Sequence, residues 1–302
     1  MNYQTKSGFI AIVGRANVGK SSLLNAMVGE KIAIVSDKPQ TTRTRITGVI
    51  TRDEVQLAFI DTPGMHRPRN SLSEYMVKQV TESVGDVDAA VLVVEAGVPL
   101  GDIENQLIEN FAQRKLPAVA VINKMDTVQD KSVILSQIAA LSQLYTFDHI
   151  YPLSAKTKEG VEEFIDLLMG YAQEGPHYFE DDRFTDQNEK VLAAEMVREK
   201  LLRNLRDEVP HGTAVVVETM KEHTARSGEE VLDVDVIIYC ERESHKGMII
   251  GKGGATLKRI ATQARGEMER FFQIQVNLKC WVTVKEDWRN REQIMRSFGY
   301  TD

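Results

Sequence analysis

The chain has 302 residues, 42% of them apolar and 27% charged, which is material for the cores of about two ordinary domains. Its formal net charge of -7, from 37 basic and 44 acidic residues, excludes a protein that coats nucleic acid by bulk charge. Apolar runs fall far short of the roughly 20 residues of a spanning helix, and Cys240 and Cys280 form no CxxC pair, so an integral membrane protein and a disulfide or metal-cluster scaffold are excluded.

The polar start MNYQTKSG has no signal-peptide core, and a reduced, cytoplasmic setting is expected. Residues 8–170 then alternate short apolar runs with amphipathic stretches. Strands are predicted over 9–13, 55–60, 89–95, 117–122 and 150–153, and helices over 21–28, 71–84, 103–114, 132–144 and 161–169. Such alternation specifies βαβ units, an α/β fold with a mainly parallel sheet and helices on both faces. Residues 46–51 reach 55–60 through the short turn at 52–54 and add one antiparallel strand. The rhythm breaks at Tyr171, and QEGPHYFEDDRFTDQ, residues 173–187, reads as a linker rich in turn residues and acids. A different order follows: helix 188–205, strands 213–222 and 231–240, a short helix, a Gly-rich turn at 251–254, helix 257–272 and strand 275–284. The expected organisation is an α/β domain over 1–172, a linker over 173–187 and an α+β domain with a C-terminal tail over 188–302.

Between the first strand and its helix, Gly14-Arg-Ala-Asn17-Val18-Gly19-Lys20-Ser21 matches G-x-x-x-x-G-K-[ST], in the context that motif requires. Glycines there let backbone N–H groups curve around phosphate oxygens, and the helix N-terminus adds positive potential. Lys20 is placed to reach the β- and γ-phosphates and Ser21, followed by Ser22, to hold Mg2+. Asp61-Thr62-Pro63-Gly64 closes the strand at 55–60, where a second carboxylate is needed for Mg2+ and where the Gly64 N–H can sense a γ-phosphate. Asn123-Lys124-Met-Asp126 closes the strand at 117–122. Asp126 can accept from the N1–H and exocyclic amine of guanine, whereas adenine would leave that carboxylate unpaired. Lys124 can lie over the base, Asn123 can tie its loop to the phosphate loop, and Ser154-Ala155-Lys156 after the last strand offers the Ala155 N–H to guanine O6. The set predicts a site for GTP and GDP with Mg2+.

On these motifs the first 170 residues resemble a Ras-like GTPase of the translation-factor-related class. The resemblance implies a first switch at Ser36-Asp-Lys-Pro-Gln-Thr41-Thr42-Arg43, with Thr42, ahead of Thr41, closing on Mg2+. It implies that Lys20, Thr42 and Gly64 carry the catalytic roles and that Ser21, Thr42 and Asp61 are the metal ligands. Met65 stands where Ras-like proteins place a water-orienting Gln, so slow intrinsic turnover is expected. His66 is the nearby candidate base, although loop histidines are more often only solvated. In related potassium-dependent GTPases an Asn at the place of Asn17 holds K+, which makes K+ an implied cofactor.

The C-terminal part has its own chemistry. From His245 onward 11 basic residues face 6 acidic ones, a surplus of 5, against -12 on the rest of the chain, so this end suits an anion. Ile249-Ile250-Gly251-Lys252-Gly253-Gly254 leads into an amphipathic helix that opens with Lys258 and Arg259. A GxxG turn between helices lets a nucleic-acid backbone approach closely and clamps about four nucleotides, and the cations supply phosphate contacts. The arrangement resembles a KH domain of type II topology, and the whole chain resembles the Era family of bacterial GTPases. That resemblance implies binding of small-subunit (16S) ribosomal RNA and a role in 30S assembly, as a monomer, with peripheral association at the inner face of the cytoplasmic membrane. The alternative is a regulatory GTPase whose second domain docks a protein or a membrane with no RNA role. Cys240 and Cys280 read as small apolar residues, and Trp281 and Trp288 as core or rim.

Overall fold

Apolar runs buried on both faces build the first part of the molecule. Its structure, a computed structural model, describes residues 4–38, 40–65, 70–83, 85, 87–225 and 228–300. The chain groups into two units: Met1–Ala33, Thr42–Pro68 and Ser73–Asp186 form the first, and Ile34–Thr41, Arg69–Leu72 and Gln187–Asp302 the second. His66, weighed above as a base, lies outside the described residues.

In the first unit the elements run β1 (Lys6–Val13), α1 (Lys20–Val28), β2 (Ile46–Arg52), β3 (Val55–Asp61), α2 (Ser71–Ser83), β4 (Ala89–Glu95), α3 (Asp102–Arg114), β5 (Ala118–Asn123), α4 (Ser132–Leu144), β6 (His149–Pro152), α5 (Val161–Met169) and β7 (Gln173–Glu174). The sheet order is β2-β3-β1-β4-β5-β6, with the short β7 antiparallel on β1. All other pairs are parallel except β2 on β3. Alternate β1 residues enter two cores: Ile10 and Ile12 pack with Leu23, Leu24 and Phe164, while Ala11 and Val13 pack with Leu107, Phe111 and Leu141. Helices on both faces explain why the strands carry apolar residues without alternation. The register sets Ile12 beside Asp61 and Glu95 beside Asn123, so the ends of β1, β3, β4 and β5 share one edge, where doubly wound sheets bind ligands.

The segment read as a linker lies on the first unit as a strap. Gln56 of β3 is buried; its Oε1 accepts from the N–H groups of Tyr178 (2.8 Å) and Phe179 (2.9 Å), and its Nε2 donates to the Phe179 carbonyl (3.0 Å). The Val49 N–H donates to the Phe184 carbonyl at 3.0 Å and Thr185 Oγ1 to the Thr47 carbonyl at 2.8 Å. Acids and turn residues made this stretch aperiodic, yet its backbone polar groups are paired with a strand edge and one buried amide.

The second unit contains α6 (Glu189–Asn204), β8 (Ala214–Thr224), β9 (Glu230–Cys240), α7 (Glu243–Ile250), α8 (Ala255–Phe272), β10 (Gln275–Val284) and α9 (Glu292–Ser297). The sheet order is β10-β9-β8, with β8 antiparallel and β10 parallel to β9. Val197 and Leu201 of α6 and Ile260, Ala264 and Met268 of α8 pack with Val234, Val236 and Ile238 of β9. Asn188 caps α6 by accepting from the Lys190 N–H. Arg198 of α6 donates to the carbonyls of Gln40 and Thr41, and Arg203 to that of Val35 at 2.9 Å, which accounts for the grouping of Ile34–Thr41 with this unit. Trp288 is fully buried, donating its indole N–H to the Gly212 carbonyl at 2.9 Å, whereas Trp281 is 50% exposed. Cys240 is buried and Cys280 half-buried, both as free thiols.

Candidate functional site

Two glycines shape the loop between β1 and α1. Gly14 has φ +151°, and a Cβ there would stand 2.4 Å from the Val93 carbonyl oxygen; Gly19 has φ +97°, and a Cβ would meet Asn123 Nδ2 at 2.3 Å. No other residue type fits either place. Helix α1 starts at Lys20 with no side-chain cap and no acid in its first turn, which leaves its first amides for an anion. Asn17 sits at the exposed lip of this loop with φ 66°, and Val18 is buried beneath it.

Lys20 is buried, and its Nζ donates to the carbonyls of Gly14 (3.1 Å) and Arg15 (2.9 Å). Burial pulls its pKa down to about 8, against the attraction of Asp61. Asp61 is fully buried, and burial pushes its carboxyl up to about 6, opposed by Lys20, the Ser21 hydroxyl and the Thr62 amide. Ser21 Oγ donates to Asp61 Oδ2 at 2.6 Å and lies 2.9 Å from Thr42 Oγ1. Asp61 Oδ1 is buried with no hydrogen-bond partner. One orphaned carboxylate oxygen beside two hydroxyls is a hard-oxygen donor set that suits Mg2+. Ser21, Asp61 and Thr42 would hold the ion, which there would neutralise charge on the β- and γ-phosphate oxygens. The neighbouring Thr41 turns away and donates to the Lys38 carbonyl at 2.6 Å.

Thr62 donates its hydroxyl to the Ile12 carbonyl at 2.9 Å, and Pro63 is buried behind it. Gly64 runs so close to the phosphate loop that a Cβ would lie 2.5 Å from Ala16 Cα, and the Met65 N–H donates to the Gly14 carbonyl at 3.3 Å. The thioether of Met65 offers neither a strong donor nor a base for water.

On the base side, Asn123 is fully buried and donates from Nδ2 to the Val18 carbonyl at 2.9 Å. Lys124 has φ 65°, and its Nζ donates to the Asn17 carbonyl at 2.7 Å and to Glu95 Oε2 at 2.8 Å. Asp126 is exposed, with Oδ1 accepting from Ser154 Oγ at 2.7 Å; this orients the carboxylate and leaves it able to accept from a base. The Ala155 N–H, expected to face guanine O6, donates to the buried Asn123 Oδ1 at 3.0 Å. Ser22 is half-buried on α1, and Lys156 is exposed beyond Ala155. Sequence reasoning missed Glu95, since an acid closing a strand has no motif around it. It also missed the pairing of Arg15 Nε with buried Glu104 at 2.7 Å.

In the second unit Gly251, Gly253 and Gly254 all have positive φ, at +73°, +59° and +80°. Gly251 serves packing, since a Cβ would meet Thr256 Oγ1 at 2.3 Å, whereas Gly253 and Gly254 face open space. Lys252 stands exposed in the turn and Lys258 and Arg259 on the start of α8, while Ile250 is half-buried and Ile249 fully buried as the anchor. Bare backbone flanked by three exposed cations is a surface a sugar–phosphate chain can approach. Among the described residues no helix is long and apolar enough to cross a membrane, and no group of three or more His, Cys, Asp or Glu is placed to hold a metal.

Residues 9–124 match the family described as 50S ribosome-binding GTPase, and residues 208–289 match the KH domain. The chain is 48% identical over 297 residues to GTPase Era of Clostridioides difficile, covering 98% of this chain and 99% of that one. It is 46% identical over 295 residues to GTPase Era of Ruminiclostridium cellulolyticum, covering 98% and 97%. The crystal structure of a variant of Aquifex aeolicus Era bound to GDP.AlF4- superposes with a TM-score of 0.93 at 36% identity, over 99% of this chain and 100% of that one. A structure of Era in complex with MgGDPNP and nucleotides 1506-1542 of 16S ribosomal RNA gives 0.93 at 35% identity, with the same coverage.

Proposed function

The chain belongs to the GTPase Era family, and on that premise we propose that it is a GTP-hydrolysing switch that binds small-subunit (16S) ribosomal RNA through its KH domain and assists 30S subunit assembly. GTP, GDP and Mg2+ are handled by residues 1–172 and RNA by 188–302. The observation that carries this reading is the bare Gly253–Gly254 backbone beside exposed Lys252, Lys258 and Arg259, in a chain that also carries a guanine-nucleotide site. The relative solved with a 16S fragment supports the choice of RNA.

In this reading Ser21, Asp61 and Thr42 hold Mg2+, Lys20 meets the developing negative charge, and the Gly64 N–H senses the γ-phosphate. With Met65 in the water-orienting position, turnover is slow, and K+ at Asn17 raises it; KCl in place of NaCl at equal ionic strength therefore speeds GTP hydrolysis. The protein acts as a monomer, and its basic C-terminal surface gives a salt-sensitive peripheral attraction to anionic lipid.

The deciding experiment measures anisotropy of a labelled single-stranded fragment of small-subunit ribosomal RNA at fixed salt, with GDP and with a non-hydrolysable GTP analogue. Site-selective binding that is tighter with the GTP analogue and collapses in Gly253→Asp is expected, since that substitution sets a carboxylate where a phosphate must lie. Weak, sequence-blind binding indifferent to both nucleotide and substitution would overturn the RNA assignment.

A further inference from the structure

The strand end beside the base-reading loop carries an acid that no nucleotide-binding motif requires. Glu95 closes β4 directly beside Asn123 of β5, and the Ala96 N–H donates to the Asn123 carbonyl at 2.8 Å. Its carboxylate points across to Lys124, with Oε2 2.8 Å from Nζ. The ammonium's second partner is the Asn17 carbonyl at 2.7 Å, so two of its three donors are fixed by two different loops. The stem between them crosses the phosphate loop: a Cβ on Gly19 would lie 3.9 Å from Lys124 Cε.

Glu95 is itself held from behind. Gln137 of α4 is buried, and its side chain makes three hydrogen bonds to the backbone that follows β4. Oε1 accepts from the Gly97 N–H at 3.1 Å, and Nε2 donates to the carbonyls of Glu95 (2.9 Å) and Val98 (3.2 Å). A buried amide spent wholly on one short loop removes the freedom that an exposed strand end would otherwise have. The chain of contacts therefore runs from Gln137 to the Glu95 backbone, through the Glu95 carboxylate to Lys124, and from Lys124 to the phosphate loop.

We propose that Glu95 is a positioning residue for guanine recognition: it pins Lys124 Nζ against the Asn17 carbonyl so that the lysine stem is held flat as one wall of the base site, and Gln137 holds Glu95 in place for this. The proposal rests on the guanine-nucleotide reading of the site. A free lysine samples many rotamers, and binding a base against it must order them at that moment; an ion pair formed beforehand removes the cost from the binding step. The pair serves GDP and GTP equally, because it touches the base side and no γ-phosphate contact. Both partners are about one-third exposed, so the effect is moderate and salt-sensitive.

Release of a fluorescent GDP from the full chain tests this. Glu95→Ala should speed release about fivefold at low salt, the scale of a well-placed, partly exposed pair, and should do the same for a GTP analogue. The gap should narrow as salt is raised. Glu95→Gln, which keeps an acceptor without the charge, should fall between Glu95→Ala and the wild type and lose most of the salt dependence. The decisive comparison is in the Lys124→Ala background, where Glu95→Ala should change release no further. An equal acceleration in both backgrounds, or none in the wild-type background, would overturn the proposal, because Glu95 would then act on the loop fold alone or not at all. Thermal unfolding of the nucleotide-free variants separates a lost fold from a lost wall. A wild-type chain that fails to prefer GDP over ADP would sink the guanine reading itself, and this is a different outcome from a silent Glu95.

Discussion

Asp61 and Lys20 are kept charged in a place that favours their neutral forms. With its carboxyl raised from 3.8 to about 6 by burial, Asp61 binds its proton more tightly in the folded chain than in the unfolded one. The nucleotide-free fold therefore loses stability as pH climbs from about 4 to about 6, and at neutral pH the ionised carboxylate costs on the order of 3 kcal/mol. Asp61→Asn should consequently raise the melting temperature of the nucleotide-free protein by about 2–4 °C, after allowing for the attraction Lys20 loses. The same change should abolish Mg2+-dependent GTP hydrolysis, because the amide keeps one neutral oxygen but loses the carboxylate charge that a divalent ion would need beside the orphaned Oδ1. A melting temperature that falls would show the carboxylate to be a net stabiliser. Gly19→Ala makes the opposite kind of test: with φ +97° and a Cβ 2.3 Å from Asn123 Nδ2, it should cost on the order of 2–3 kcal/mol of stability and remove GDP binding, both readable by calorimetry. These residues were legible from their spacing, since phosphate and guanine demand fixed residue types at fixed strand ends. Glu95 was not, because what makes it matter is its distance to Lys124 across the sheet.

At the scale of elements, legibility follows burial. Strands of a covered parallel sheet stand out as apolar runs, and β4, α4 and α5 have the limits that their patterns imply. The strap at 173–186 and the six-residue α9 lack any periodic face; one is fixed by the buried Gln56 amide, and the other follows the buried Trp288. Within the strap, His177 sits with Nδ1 2.6 Å from Asp181 Oδ1 and Nε2 3.2 Å from the Glu54 carbonyl. Burial works against the charged ring, but the Asp181 carboxylate and the Glu54 carbonyl outweigh it and raise its pKa above 6.5. A histidine with a raised folded pKa stabilises the folded form below its unfolded pKa, and the gain fades as pH rises through the folded value. Hydrogen-exchange protection at Tyr178 and Phe179, after correction for intrinsic rates, should therefore fall as pH rises above the ordinary histidine value of 6.5. His177→Gln should flatten that dependence. Protection that is level with pH in the wild type would mean that His177 adds nothing to the hold provided by Gln56 and the β2 edge.

The whole molecule carries an acidic chain with a basic end, and this asymmetry was plain in the sequence, whereas the grouping of Ile34–Thr41 with the second unit was not. A loop's own residues do not say which surface it packs on; here the deciding groups are Arg198 and Arg203, more than 150 positions away. The basic end also makes a quantitative demand on RNA binding. If Lys258 and Arg259 each neutralise one phosphate, each contributes roughly 0.7 to the slope of log affinity against log salt for a single strand. Replacing both by Ala should reduce that slope by about 1.4 and weaken binding uniformly across RNA sequences, with the same loss under GDP and under a GTP analogue. Gly253→Asp acts differently, because it blocks the approach of the backbone; it should remove site selectivity together with affinity. Titrations at several salt concentrations separate the two. A double variant that keeps the wild-type slope would mean that α8 presents its cations to solvent alone, and the phosphate contacts would have to be sought at Lys252 and along the rest of the basic surface.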